Sequence, residues 1–91
     1  MTEDATPVKP TDDAILARLT VIVRDVFADP AIDLAPEMPT VDVPGWDSIT
    51  QVGLLVEIER AFAISLDPLA IDDLATVGDL VDLVRRGGAA P

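Results

Sequence analysis

Proline placement decides where this chain can be helical. Proline is absent from Ser48 to Phe62, clustered before that run at Pro30, Pro36, Pro39 and Pro44, and met again at Pro68. Inside the proline-free run, apolar residues recur at Val52, Leu55, Ile58 and Phe62, with Leu54 and Ala61 beside them. That spacing predicts an amphipathic helix. Pro44-Gly45 makes a turn ahead of it, and Asp47 is a good N-cap because its carboxylate can accept from the open N–H groups of the first turn. Ser48 then falls in that first turn, its hydroxyl presented to solvent on a rigid element. A phosphate attached there would be favoured by the positive end of the helix dipole, by roughly 0.3–1 kcal/mol if exposed.

The remaining segments read in the same way. Thr11 caps a first helix with Asp12 and Asp13 in its acid-favouring first turn, and Ile15, Leu19, Ile22 and Val26 follow at helical spacing. Asp29-Pro30 breaks it near Ala28. The connection from Asp29 to Trp46 is expected to be structureless and to cross the surface, pinned to the core by Ile32, Leu34, Val41, Val43 and Trp46. After the link Ala63-Ile64-Ser65-Leu66, Asp67-Pro68 is a cap followed by proline at a first helical position, opening a short helix through Ala70–Leu74. Thr76-Val77-Gly78-Asp79 resembles a capping box for a last helix over Val77–Arg86, terminated by Gly87-Gly88. The expected fold is all-α, a bundle of three main helices and a minor one at residues 11–86, with flexible tails at 1–10 and 87–91.

Ninety-one residues make one small domain, and a hydrophobic content of 49% is enough for a core. The net charge of −11 repels phosphate backbones and anionic lipid, which excludes nucleic acid and membrane as partners and favours basic patches on other proteins. There is no cysteine and no histidine, so the chain supplies neither a thiolate nor the usual general base and zinc ligand. Residues 1–10 carry Glu3 and Asp4 without an apolar segment, unlike a signal peptide, and no run approaches membrane-spanning length. A cytoplasmic monomer is the default expectation.

Ser48 is no convincing nucleophile: the one lysine, Lys9, lies in the expected tail, and a Ser-Asp pair alone does not activate a hydroxyl. The carboxylate pairs Asp72-Asp73, Glu57/Glu59 and Asp79/Asp82 lack converging or calcium-loop spacing and read as solvated faces, so no metal site is expected. On the wheel of the Ser48 helix, the core arc centres on Leu54, Leu55, Ile58 and Phe62, whereas Ile49, Val52 and Val56 fall outside it on the side of Ser48. That second apolar stripe is either a partner surface or the seat of the long loop.

Gly45-Trp46-Asp47-Ser48-Ile49, followed by Val52, Leu54, Ile58, Glu59 and Phe62 and closed by Ile64-Ser65-Leu66, resembles the acyl carrier protein family, as does Thr76-Val77-Gly78-Asp79-Leu80 before the last helix. The resemblance covers residues 11–86 and implies a four-helix bundle with a long first loop and a short third helix. It implies that Ser48 Oγ receives 4′-phosphopantetheine from a magnesium-dependent phosphopantetheinyl transferase that recognises Asp47. The arm's thiol would hold an acyl or aminoacyl group as a thioester. Ile49, Val52, Val56 and Glu59 would form the face that docks the transferase, the acyl- or aminoacyl-loading ligase and downstream biosynthetic enzymes. The family's leucine after the serine is Ile49 here. Thr50 and Gly53 stand where fatty-acid-synthesis members are usually acidic, as does Arg60 where another acid is common. The expectation is thus a carrier without catalytic activity, serving a specialised pathway such as polyketide, nonribosomal peptide or modified-sugar assembly. A peptidyl or aminoacyl carrier and an unmodified helical interaction module are the alternatives.

Overall fold

Each expected helix forms and starts at its capping residue, while the first ends at Val26 rather than near Ala28 and the short third one at Asp72 rather than Leu74. The computed structural model describes residues 11–87 and contains α1 (Asp12–Val26), a single 3-10 turn at Thr40–Asp42, α2 (Ser48–Phe62), α3 (Pro68–Asp72) and α4 (Val77–Arg85). The tail at 1–10 and residues 88–91 of the second tail lie outside the described residues. Thr11 Oγ1 accepts from the Ala14 N–H (3.1 Å), and Asp67 Oδ1 from the Leu69 N–H (2.9 Å). Thr76 and Asp79 close the capping box, Asp79 N–H donating to Thr76 Oγ1 (3.2 Å) and Thr76 N–H to Asp79 Oδ2 (3.1 Å). Caps of this kind are worth about 1 kcal/mol each. Gly87, at φ +76°, ends α4 in the left-handed conformation expected of it. α1 and α2 close without glycine, passing into Ala28 (φ 54°) and Ala63 (φ 55°).

α1 is the centre of the bundle and packs against both α2 and α4. Its Ile15, Leu19, Ile22 and Val23 are buried against Val77, Leu80, Val81, Leu83 and Val84 of α4 and against Leu54 and Ile58 of α2. α3 adds Ile71, the link before it adds Leu66, and the long connection adds Ile32 and Val43. An ion pair from Arg85 Nε to Asp12 Oδ1 (3.1 Å) joins the end of α4 to the start of α1.

The long connection departs from the expected structureless path. Arg24 of α1 holds its beginning, through Nε to the Ile32 carbonyl (2.6 Å) and Nη2 to Asp33 (2.6 Å). Its middle is stitched to the start of α4: Gly78 N–H donates to the Pro36 carbonyl (2.7 Å), Val77 N–H to Met38 (2.8 Å), and Thr40 N–H to Ala75 (3.1 Å). First-turn N–H groups have no partner within their own helix. Here the loop's carbonyls supply two of them and the Thr76 hydroxyl a third. Of the five expected apolar pins, Val41 fails. It lies in the 3-10 turn and is 86% exposed, while Thr40 beside it is buried.

Two glycines in this frame have opposite consequences. A Cβ at Gly78 would lie 2.9 Å from the Pro36 carbonyl oxygen, too close without moving the loop. A Cβ at Gly53, half-buried against α1, would meet Val26 Cγ1 at 3.4 Å, an ordinary contact. Gly78→Ala is therefore expected to lower the unfolding free energy by about 1–3 kcal/mol, the cost of a displaced loop carbonyl, a lost hydrogen bond and local strain. Gly53→Ala is expected to leave it unchanged or raise it by up to about 1 kcal/mol, the helix-propensity difference. Urea denaturation of the two variants beside the parent measures both.

Candidate functional site

The turn before α2 is fixed by one glycine and one aromatic pair. Gly45 adopts φ +84°, a conformation that strains residues with a side chain. The space a Cβ would fill there faces the Phe27 ring, 3.6 Å away. Trp46 meets the same ring edge-on, with centroids 5.9 Å apart and planes at 86°, so the turn is seated on the end of α1.

Asp47 and Thr50 then lock the mouth of α2. Asp47 Oδ1 accepts from the N–H groups of Ile49 (2.9 Å) and Thr50 (2.8 Å). Thr50 Oγ1 reciprocates, accepting from Asp47 N–H (2.9 Å) and donating to the Gly45 carbonyl (2.7 Å). The result is a capping box with threonine in the place usually held by Glu or Gln. The Thr50 N–H is the main influence holding the Asp47 carboxyl below the ordinary carboxylate range. Desolvation opposes it, and the Ile49 N–H and the Thr50 hydroxyl add smaller effects in the lowering direction.

Ser48 is the first residue of α2 and is exposed. The hydrogen bonds of the turn go to its neighbours, leaving Ser48 Oγ without a partner among the described residues. Beside it runs an open groove of about 350 Å³ between the 3-10 turn, the first turns of α2, and α3. Gln51 crosses this groove. Its Oε1 accepts from Trp46 Nε1–H (3.0 Å) and its Nε2–H donates to Asp72 Oδ1 (3.0 Å).

The second apolar stripe of α2 is left uncovered by the long loop. Ile49 is 81% exposed, Val52 65% and Val56 43%. Glu59, expected beside them, is half-buried, and its Oε2 accepts from the Leu66 N–H (2.8 Å), holding the link to α3. The carboxylates weighed as metal ligands have other tasks: Asp79 caps α4, Asp82 pairs with Arg85 and Arg86, and Asp72 takes Gln51. Among the described residues no group of His, Cys, Asp or Glu could hold a metal ion. Nor is any helix there long and apolar enough to cross a membrane.

Sequence reasoning placed Asp47 and Ser48 at the start of α2, as the structure does, but missed the hydrogen bonds of Thr50 and Gln51. A threonine three residues after the cap was the available signal for the first. The second depends on α3 folding back beside α2, which no local pattern records.

Comparisons with known proteins bear on this site. Residues 17–84 match a family model described as the phosphopantetheine attachment site. The chain is 32% identical over 72 residues to the acyl carrier protein of Acidothermus cellulolyticus, spanning 79% of this chain and 86% of that protein. It is 35% identical over 54 residues to the acyl carrier protein of Desulforapulum autotrophicum, spanning 59% and 70%. In structure it resembles the solution structure of a holo acyl carrier protein from Geobacter metallireducens, with a TM-score of 0.72 and 37% identity over 80% of this chain and 84% of that one.

The cap at Asp47 carries a pH signature. Its folded-state carboxyl titrates below its unfolded value, so the stabilisation is fully present above about pH 4, the ordinary carboxylate value, and is lost as pH falls through the folded value. Asp47→Asn, which retains an accepting oxygen, is expected to keep the cap and reduce this acid dependence. Asp47→Ala is expected to lower Tm at neutral pH. Thermal melts of the three proteins from pH 7 to pH 3 test both.

Proposed function

The chain belongs to the acyl carrier protein family, and from that premise we propose that Ser48 Oγ is the attachment point of its 4′-phosphopantetheine, in service of a specialised biosynthetic pathway. The protein is a carrier, not an enzyme, and its cofactor is covalently held. One observation carries the choice of Ser48: it is an exposed hydroxyl with no described hydrogen-bond partner, on a turn in which its neighbours are all fixed. An incoming transferase then meets a single hydroxyl in a constant position, without breaking a native hydrogen bond to reach it.

The residues around Ser48 fit the group. The helix dipole favours the negative charge of a phosphodiester on Ser48 Oγ. Asp47, already engaged by two N–H groups, holds the first turn in register and offers the charged acid that a transferase can read. When bound, the cofactor supplies the thiol that this cysteine-free chain lacks, able to carry an acyl group as a thioester. The chain's own task is to present that group, which raises its local concentration at each enzyme that docks.

Ile49, Val52 and Val56 provide an apolar docking face next to the attachment point, for the transferase, a loading ligase and downstream biosynthetic enzymes. Glu59 takes part through the end of α2 that it ties to Leu66. The first turn of α2 contains no acidic residue. Farther along, Glu57 lies 3.6 Å from Arg60. A face of this kind selects partners by apolar fit more than by charge, which supports enzymes dedicated to one pathway.

Incubation with coenzyme A, magnesium and a broad-specificity phosphopantetheinyl transferase is expected to add one phosphopantetheine by intact mass, and Ser48→Ala to add none while keeping its Tm. An adduct on the alanine variant, or none on the parent, refutes the assignment. Ile49→Glu combined with Val52→Glu is expected to slow loading by the cognate ligase at least about tenfold without loss of stability, both positions being solvent-exposed. Loading rates at fixed carrier concentration read this directly.

A further inference from the structure

The 3-10 turn places its side chains against their polarity. Thr40 is buried at 8% exposure, whereas Val41 beside it stands 86% exposed. Hydrogen bonds hold the turn in this sense. Thr40 N–H donates to the Ala75 carbonyl (3.1 Å), Asp42 N–H to Pro39 (3.0 Å) and Val43 N–H to Thr40 (3.1 Å). Val43, at 2% exposure, plugs the end of the turn into the core. Turning Val41 inward would break this set, so its side chain is kept in water and its burial is left unused. Being β-branched, it also has little rotamer freedom to lose when another surface covers it.

A single exposed valine is ordinary on a protein surface, but this one borders the reacting hydroxyl. Val41 lines the same groove as Ser48, together with Trp46, Asp47 and Asp72. Ile49, 81% exposed, follows Ser48 on α2. The turn and the helix on either side of this site therefore each carry an exposed apolar side chain. The charges nearby are of one sign: Asp42, Asp47 and Asp72 are exposed, and residues 40–51 include neither lysine nor arginine. Any enzyme that forms a bond to Ser48 Oγ must bring its own atoms to the mouth of this groove. We propose that the 3-10 turn is a second docking element for the phosphopantetheinyl transferase, Val41 entering an apolar pocket of that enzyme rimmed by lysine or arginine. This rests on the reading of Ser48 as the attachment point and adds a contact outside α2. Val41 touches none of the reacting atoms. Its contribution is to hold the transferase over Ser48, which is read in the KM for the carrier and not in kcat.

Initial rates of modification by the broad-specificity transferase test it, at saturating coenzyme A and magnesium and with the carrier concentration varied. Val41→Asp is expected to raise KM about tenfold and Val41→Ala about threefold, with kcat within about twofold of the parent. Val41→Leu, which keeps an apolar side chain, is expected to match the parent. So is Val21→Asp, which adds the same charge at a 60%-exposed valine of α1 outside the groove. Tm is expected to be unchanged in all four, since both valines are exposed. A parent-like KM in both Val41→Asp and Val41→Ala, or an equal rise in Val21→Asp, overturns the inference while Ser48 still takes up its adduct. A lowered Tm in Val41→Ala overturns it by making the side chain part of the core. A parent that sediments as a dimer beside a monomeric Val41→Asp overturns it too, by giving the patch to a second copy of the chain. Absence of any adduct on the parent overturns the reading of Ser48 and the docking role with it.

Discussion

The whole bundle hangs on the buried face of α1. Ile15, Leu19, Ile22 and Val23 are the surface on which both α2 and α4 rest, and each such side chain contributes roughly 1.5–3 kcal/mol when fully buried. α4 spends nearly all its apolar residues on this contact. α2 commits only Leu54 and Ile58 completely. With α1 as the shared support, α2 packs Leu55, Ala61 and Phe62 only in part and leaves Ile49, Val52 and Val56 exposed. The exposed Ile49, Val52 and Val56 are thus a consequence of how the core is divided, since only one narrow arc of α2 is needed to hold it.

A helix held by a narrow arc could rock on its support, and its N-terminal end is where the proposed chemistry sits. Three features act against that motion. Phe27 and Trp46 fasten the preceding turn to the end of α1, Gly45 allows the sharp reversal, and Asp47 and Thr50 close the first turn on both sides of Ser48. Each is modest alone. Together they fix both backbone neighbours of Ser48 while leaving its hydroxyl unengaged. Three acidic side chains work in the same way: Asp47 and Asp67 cap α2 and α3, and Asp79 completes the capping box of Thr76.

Caps and prolines made the helices legible, because both act within a few residues of the boundary they set. Thr11, Asp47, Asp67 and the Thr76–Asp79 pair mark four helix starts that the structure reproduces. What the chain hid is everything that depends on distant segments meeting. The loop's carbonyls at Pro36 and Met38 satisfy α4 some forty residues later, and no local pattern announces such pairing. The same limit hid why Gly78 is glycine, why Val41 turns outward where Val43 turns in, and why Gln51 faces Asp72. Glu59 shows it from the other side: its wheel position puts it beside Val52, yet the N–H of Leu66 draws its carboxylate into the fold. Thr50 was hidden differently, since reading it only as a missing acid passed over the hydrogen bonds a hydroxyl can make at that position.

The long connection links these observations. Its prolines limit the unfolded chain's freedom and so lower the entropic cost of ordering it, while its carbonyls complete α4 and its 3-10 turn walls the groove beside Ser48. The same segment thus meets α4 at Pro36 and Met38 and borders the groove at Thr40 and Val41. Trp46 ends this segment and is bonded through Gln51 to α3. The groove is therefore bounded by elements that are all tied, through the loop, to the core around α1. An element free to slide would offer docking enzymes a variable target. A carrier that performs no chemistry of its own gains most from a constant one, because the only thing it controls is where its cargo begins.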